Sequence, residues 1–333
     1  MISSYVQTNT SISDLSIIIV SYNTKKLLKN CIESIYETAK NMNYEIIVVD
    51  NASVDGSPEL IEEEFNSVAL IKNKANLGFA RANNQAIKLA KGRYLLLLNS
   101  DTILREGTIE TMVHFIERTP RAAAVGPKVV GADGTLQNKG FFFPSIFFSV
   151  VILFGINRFF PEKIKRRLFP QFYWDENDVR EVDYLEGSCL LLRKEAVDEV
   201  GLLPEEYFMY FEDAEWCFRA KKRDYEIWYL PTAEIIHYGS SSQLGKKTEV
   251  FCRNRLLFYK RNVGVLKGVI VTMLMICASS VDFFRILMKP RNRKEYGRIK
   301  EQLNEQFGLL KGLIVPLGLK RDQNPFTHES DDK

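Results

Sequence analysis

Three short clusters of polar side chains, each closing an apolar run, carry residue types suited to binding a charged ligand. Ser21-Tyr22-Asn23 follows Leu15 to Val20, Asp50-Asn51-Ala-Ser53 follows Tyr44 to Val49, and Asn99-Ser100-Asp101 follows Tyr94-Leu-Leu-Leu-Leu. Side chains alternate on extended backbone, so Asn99 and Asp101 project to one side and Ser100 to the other. The competing reading of Asp101 or Thr102 is a cap for a following helix. A second acidic centre, Glu212-Asp213, lies between Tyr210, Phe211 and Trp216. Aromatic surroundings raise a carboxylate's pKa and make it a stronger base, while a solvated helix N-terminus explains the same acids equally well. His237 follows an apolar run, where a lone histidine is more often structural than a ligand.

The elements that must position these groups alternate strand and helix. Leu15 to Val20, Tyr44 to Val49, Val68 to Ile71 and Tyr94 to Leu98 read as short buried strands. Between them, residues 24–38, Pro58 to Phe65, and the stretch from Asn76 through Ala90 read as helices. Such alternation implies right-handed crossovers and a mostly parallel α/β sheet with helices on both faces. Ligands of open α/β sheets bind beyond the carboxyl ends of the strands, and all three polar clusters fall on that edge. Farther on, Gly131-Ala-Asp-Gly134 predicts a hairpin, Val182 to Arg193 a strand broken at Glu186-Gly187-Ser188, and Lys194 to Val200 a helix. Tyr225 to Pro231 and Ala233 to His237 read as two short strands.

Composition narrows the classes. The 333 residues carry 45 Lys plus Arg against 42 Asp plus Glu, a net charge of +3 that makes no case for nucleic acid. Five widely spaced cysteines suit a reducing, cytoplasmic compartment rather than a disulfide framework or zinc site. Met1 to Asp14 is polar and lacks the basic and apolar regions of a signal peptide. Neither Gly-x-Gly-x-x-Gly nor a P-loop occurs, which removes the standard dinucleotide and P-loop sites. Residues 15–262 are expected to form the main domain, with 140–169 an apolar and then basic insertion. Residues 263–322 form an apolar and basic helical region, and residues 323–333 a disordered tail. Two apolar segments, each followed by positive charge, fit peripheral attachment to the anionic cytoplasmic face of a membrane, a buried helix or oligomer contact being the alternative for the first.

Together Ile19-Val-Ser-Tyr-Asn23, Val49-Asp-Asn-Ala-Ser-Val-Asp-Gly-Ser57, Asn76-Leu-Gly-Phe-Ala-Arg-Ala-Asn-Asn84 and Leu98-Asn-Ser-Asp101 resemble the GT-A-fold glycosyltransferases of family 2. These are inverting enzymes that use nucleotide sugars, and the resemblance spans roughly Leu15 to Lys260. It implies that Asp50 accepts a hydrogen bond from the nucleotide base. Tyr22, Asn23 and Arg81 would line the same pocket, with Ser21, Asn51, Ser53, Asn76, Asn99 and Ser100 also binding the donor, the Asn99 carbonyl meeting the ribose or a metal-bound water. Asp101 would be the last Asp of the family's Asp-x-Asp motif, holding Mg2+ or Mn2+ against the diphosphate, with His237 completing the metal site. Asn99 departs from the first Asp of that motif. Asp213 would be the general base, and Glu186, Gly187, Ser188, Glu212 and Trp216 would lie by the donor sugar and acceptor. Rhamnose from a dTDP donor is the leading expectation, since Tyr207 to Asp213, His237 to Ser242 and the pair Arg253-Asn254 look most like the rhamnosyltransferase branch. A lipid-linked saccharide or polysaccharide is the expected acceptor. The absence of Gln-x-x-Arg-Trp argues against a processive synthase. A sugar nucleotidyltransferase and a degenerate, non-catalytic assembly subunit are the alternatives.

Overall fold

Strand β1 (Leu15–Ser21) is the hub: Leu15, Ile17, Ile18 and Ile19 are fully buried, so both of its faces are covered. The computed structural model describes residues 14–40, 42–138, 140–143, 146–153, 155, 160, 161, 163–165, 174–239, 244–271, 273, 274, 277 and 280. Parallel to β1 run β2 (Tyr44–Asp50) on one side and β4 (Tyr94–Asn99) on the other, and β3 (Ala69–Lys72) lies parallel beyond β2. The connections are helices α1 (Lys25–Thr38), α2 (Ser57–Glu64) and α3 (Phe79–Ile87). There follow β5 (Thr102–Leu104), α4 (Thr108–Arg118), β6 (Ala122–Val130), β7 (Leu136–Asn138), α5 (Ile146–Leu153), β8 (Arg180–Glu181) and β9 (Cys189–Arg193). Helix α6 (Lys194–Val200), α7 (Glu212–Lys221), β10 (Glu226–His237) and α8 (Leu244–Asn262) complete the described elements.

The sheet runs β3-β2-β1-β4-β9-β6-β10-β5, with β7 on β6 and β8 on β10. Alternation divides its core. Ile17, Ile19, Leu96 and Leu98 face α1, α2 and α4, while Ile18, Leu95 and Leu97 face α3, α6 and α7. Each of the four leucines is at most 1% exposed, and truncating one such side chain costs about 2–5 kcal/mol.

Register brings the polar clusters together. Ser21 pairs with Asp50 and Val20 with Asn99, so the ends of β1, β2 and β4 lie in one line. Strand β9 is antiparallel to both β4 and β6 and therefore begins where β4 ends. Strand β10 is parallel to β6, which places His237 on the same edge, and antiparallel β5 starts there too, with Thr102 opposite His237.

Three local expectations change. Thr102 to Leu104 is a strand and the next helix begins at Thr108, so Asp101 and Thr102 cap no helix. The two strands expected at 225–231 and 233–237 are one, β10, with a register shift between Leu230 and Glu234; Pro231 has no N–H for the ladder and sits at that irregularity. The expected strand from Val182 is confined to Cys189–Arg193, preceded by a single bridge between Tyr184 and Phe141. Part of the apolar run is used by the domain itself: Phe143 stacks on Tyr184 and Phe258, its N–H bonded to Asp183 at 2.8 Å. Residues 1–13, the expected tail 323–333, and most of the expected segments at 154–169 and 272–322 lie outside the described residues. Among those described, no helix is long and apolar enough to cross a membrane.

Candidate active site

The loops after β1, β2 and β4 are tied together by hydrogen bonds. Ser21 Oγ meets Thr24 Oγ1 and Thr24 Oγ1 meets Ser100 Oγ, both at 2.9 Å, tying the ends of β1 and β4. Asn23, with φ of 54°, is held by Ser53 Oγ and in turn accepts the Val54 N–H at 2.8 Å. Asn51 donates to Gly78 O and accepts from Asn73, and Asn76 accepts the Gly78 N–H. These residues hold the loops to one another, whereas Tyr22 stands 43% exposed and Arg81 pairs with Glu205 at 3.7 Å. Asp50 differs from all of them. It is 2% exposed, its Oδ2 accepts the Ser53 N–H at 2.9 Å, and its Oδ1 is buried with no partner. A buried acceptor without a donor costs about 1–3 kcal/mol, so this oxygen is suited to a donor brought by a ligand, such as a ring N–H of a base.

At the centre, Asp101 Oδ1 lies 3.3 Å from His237 Nε2, and the Asp101 carbonyl accepts the Tyr238 N–H. Across the β6–β7 hairpin, Gln137 meets His237 twice: its amide N donates to the His237 carbonyl, and its carbonyl faces Nδ1, each at 3.0 Å. No group of three or more His, Cys, Asp and Glu that could by itself hold a metal ion occurs among the described residues. The chemistry of the pair nonetheless fits a divalent cation, because such ions can be held by a single carboxylate together with substrate phosphates and water, and an imidazole nitrogen adds a ligand suited to a transition ion. The Asn99 side chain has no hydrogen-bond partner among the described residues, and its backbone N–H is bonded to Ser188 O at 2.9 Å.

The acid pair Glu212-Asp213 lies at the start of α7. Tyr210 and Phe211 both adopt left-handed backbone, with φ of 69° and 76°, to aim Glu212 and Asp213 into its first turn. Asn254 of α8, fully buried, stabilises that turn by donating to Met209 O and Tyr210 O at 2.8 and 2.9 Å. Asp213 Oδ2 accepts the Gly187 N–H at 2.9 Å and Oδ1 the Ala214 N–H at 2.6 Å. Burial raises the Asp213 carboxyl to about 6, against the pull of those hydrogen bonds. Glu212 is raised well above the carboxylate range by burial and by the neighbouring Asp213 charge, and its Oε2 has no partner. Gly187 is required by close approach: a Cβ there would lie 2.9 Å from the Phe79 ring.

Of the residues expected near the sugar, Gly187 and Ser188 therefore connect Asp213 to the end of β4. Trp216 does not join them. It is fully buried and donates its indole N–H to Gly201 O at 2.8 Å, because its side of α7 packs into the core cluster that includes Leu190, Leu192 and Tyr229 of the sheet. Two residues of this arrangement carry little local signal: Asn254 shows in sequence only as half of the Arg253-Asn254 pair, and Gln137 only by its place after a predicted hairpin.

Comparison with known proteins identifies the family and the fold. The family model for glycosyl transferase family 2 covers residues 16–201, more than half of the chain. The chain belongs to that family. An N-acetylglucosaminyl-diphospho-decaprenol L-rhamnosyltransferase of Mycobacterium tuberculosis is 28% identical over 243 residues, 68% of this chain and 77% of the relative. A low-salt glycan biosynthesis hexosyltransferase, Agl10, of Haloferax volcanii is 26% identical over 238 residues, 68% of each chain. Among solved structures, a mannosyltransferase of Pyrobaculum calidifontis in complex with GDP-mannose and Mn2+ superimposes with a TM-score of 0.58 at 13% identity, covering 91% of this chain and 88% of that one. At that identity the likeness speaks for the fold, which is the GT-A fold, as the motifs led us to expect.

Proposed function

We propose that this glycosyltransferase is metal-dependent and inverting, and that it moves a single sugar from a nucleoside diphosphate to a hydroxyl of a lipid-linked saccharide or polysaccharide. The observation that carries the reading is the Gly187-Ser188 backbone, bonded to Asp213 on one side and to Asn99 on the other. It holds a base of raised pKa in fixed relation to the strand end that precedes Asp101. Asp50 Oδ1 binds the nucleotide base, with Tyr22, Asn23 and Arg81 around it. Asp101 and His237 are the ligands for Mg2+ or Mn2+, which when bound supplies charge neutralisation to the departing diphosphate. Asp213 takes the acceptor hydroxyl proton as that oxygen attacks the anomeric carbon from the face opposite the diphosphate, and a single displacement inverts the configuration. Its elevated pKa suits a base working near neutrality.

Rhamnose from dTDP-rhamnose is the first donor to try, since the mycobacterial relative is a rhamnosyltransferase acting on a polyprenyl-diphosphate saccharide. Exposed Val265, Leu266, Ile270 and Met273, beyond the basic end of α8 at Lys260 and Arg261, support a place on the cytoplasmic membrane surface where such acceptors reside. The test is release of nucleoside diphosphate from dTDP-, UDP- and GDP-sugars with a polyprenyl-diphosphate saccharide, with and without chelator, and NMR of the product's anomeric centre. Acceptor-dependent release, lost with chelator and giving inverted product, is expected. A nucleotidyltransferase would not release nucleoside diphosphate in step with acceptor, and no release from any of the three donor types would leave a non-catalytic subunit.

A further inference from the structure

We propose that Gln137 is a positioning residue that fixes His237 in the one tautomer able to hold a cation, an inference that rests on the metal reading above. The orientation of its amide is forced. The His237 carbonyl can only accept, so the Gln137 group 3.0 Å from it is the NH2, and the Gln137 oxygen consequently faces His237 Nδ1. An amide oxygen can only accept in its turn, so Nδ1 carries the proton. The neutral imidazole is then left with its Nε2 lone pair directed at Asp101 Oδ1, 3.3 Å away. Two acceptors at that distance repel unless a positive charge lies with them, a proton on Nε2 or a metal ion beside both. Gln137 thus prepares the pair electrostatically for a cation before one arrives, the outer-shell role that a carbonyl or carboxylate plays behind a metal-binding histidine.

The hairpin is built to hold that amide still. Gly131 and Thr135 close it through the Gly131 N–H to the Thr135 carbonyl at 2.8 Å, and Asp133 Oδ1 accepts both the N–H and the hydroxyl of Thr135. Gly131 leaves room for the side chain: a Cβ there would lie 3.0 Å from Gln137 Nε2. The three elements that meet, β7 with Gln137, β10 with His237 and the start of β5 after Asp101, belong to one sheet, so the geometry is set by strand pairing.

Two measurements test this. Long-range 1H–15N spectra of the metal-free, full-length protein, at a pH where imidazole is neutral, read the tautomer directly. The chain has three histidines, and H237Q identifies the relevant signal. Protonation at Nδ1 is expected, and an Nε2–H tautomer overturns the proposal. Binding of Mn2+ alone, followed by the EPR signal of free Mn2+, is then compared for wild type, Q137M and Q137E, with D101N as the reference for a lost site. Q137M, which keeps the length of the side chain without its hydrogen bonds, should weaken Mn2+ by about 10–100-fold. Q137E, which retains an acceptor for Nδ1–H, should lie closer to wild type. Equal affinities for wild type and Q137M overturn the role of Gln137 while leaving the metal reading intact. Wild-type binding no tighter than that of D101N overturns the metal reading itself and the proposal with it. Should Q137M fail to fold, the wild-type tautomer still decides.

Discussion

Replacing Asp213 by Asn removes the proposed proton acceptor and keeps the side chain's size. General-base catalysis contributes about 10²–10⁴-fold, which is about 3–5 kcal/mol of transition-state stabilisation. The structure sets two further terms on stability, and they oppose each other. Asp213 accepts on both oxygens, from Gly187 and Ala214. Asn can accept on one only, so one N–H faces an NH2 group at a cost of about 1–3 kcal/mol. Against that, burial holds the carboxyl at about 6 rather than 3.8, so exchanging the charged group for a neutral one recovers at most about 3 kcal/mol near neutral pH. The two nearly cancel. D213N should melt close to wild type, and lost turnover can then be assigned to chemistry. The assay is nucleoside diphosphate release at saturating donor and acceptor, with donor affinity by calorimetry. Turnover should fall about 10²–10⁴-fold with donor affinity unchanged. Because the base works deprotonated, wild-type turnover should rise with pH through about 6 and level off above it. A D213N turnover within about tenfold of wild type, or a wild-type profile flat on the acid side, refutes the reasoning.

D50N should weaken UDP or dTDP binding about 10–100-fold, the worth of a hydrogen bond to a charged acceptor, and an unchanged calorimetric affinity would remove Asp50 from the base pocket. In G187A the new Cβ meets Phe79 at 2.9 Å and shifts the N–H that holds Asp213, so kcat should fall more than donor affinity. Trimming that ring in G187A/F79L should restore part of the loss, a non-additivity that independent effects would not give. Glu212 holds its proton in the folded chain at pH values where the unfolded chain has lost it, so stability falls as pH rises from its unfolded value through its folded one. E212Q should therefore melt above wild type at about pH 8 and close to it at about pH 4, and a constant difference would contradict the burial argument.

Local patterning carried much of the site. A strand buried on both faces has to be a continuous apolar run, and a polar cluster at its end is visible in sequence, so Asp50, Asn99 and Asp101 could be placed on one edge before any coordinates. The acid pair in its aromatic setting fitted a raised pKa and a solvated helix N-terminus equally well, and only the resemblance to the family pointed to Asp213. Pairings between distant strands left no such trace. Nothing local says that β9 enters antiparallel between β4 and β6, yet that insertion delivers Gly187 and Ser188 to the end of β4. The resemblance implies a place for Trp216 by the donor sugar and acceptor, but spacing alone does not say which side of α7 meets the sheet, and packing puts it in the core. Gln137 and Asn254 each act on a residue 100 and 45 positions away, through hydrogen bonds that depend on where folding brings two backbones.

By itself, then, the sequence determined the alternation of elements, the edge that carries the polar groups and the residue types of the chemistry, because burial on one face or two imposes a period on the chain. Only the tertiary structure decided which of those groups meet. The contacts of Asp101 with His237, of Gln137 with both hydrogen-bonding ends of that histidine, and of Asp213 with Gly187 come from strand order and register, which are properties of the whole sheet and of no single segment.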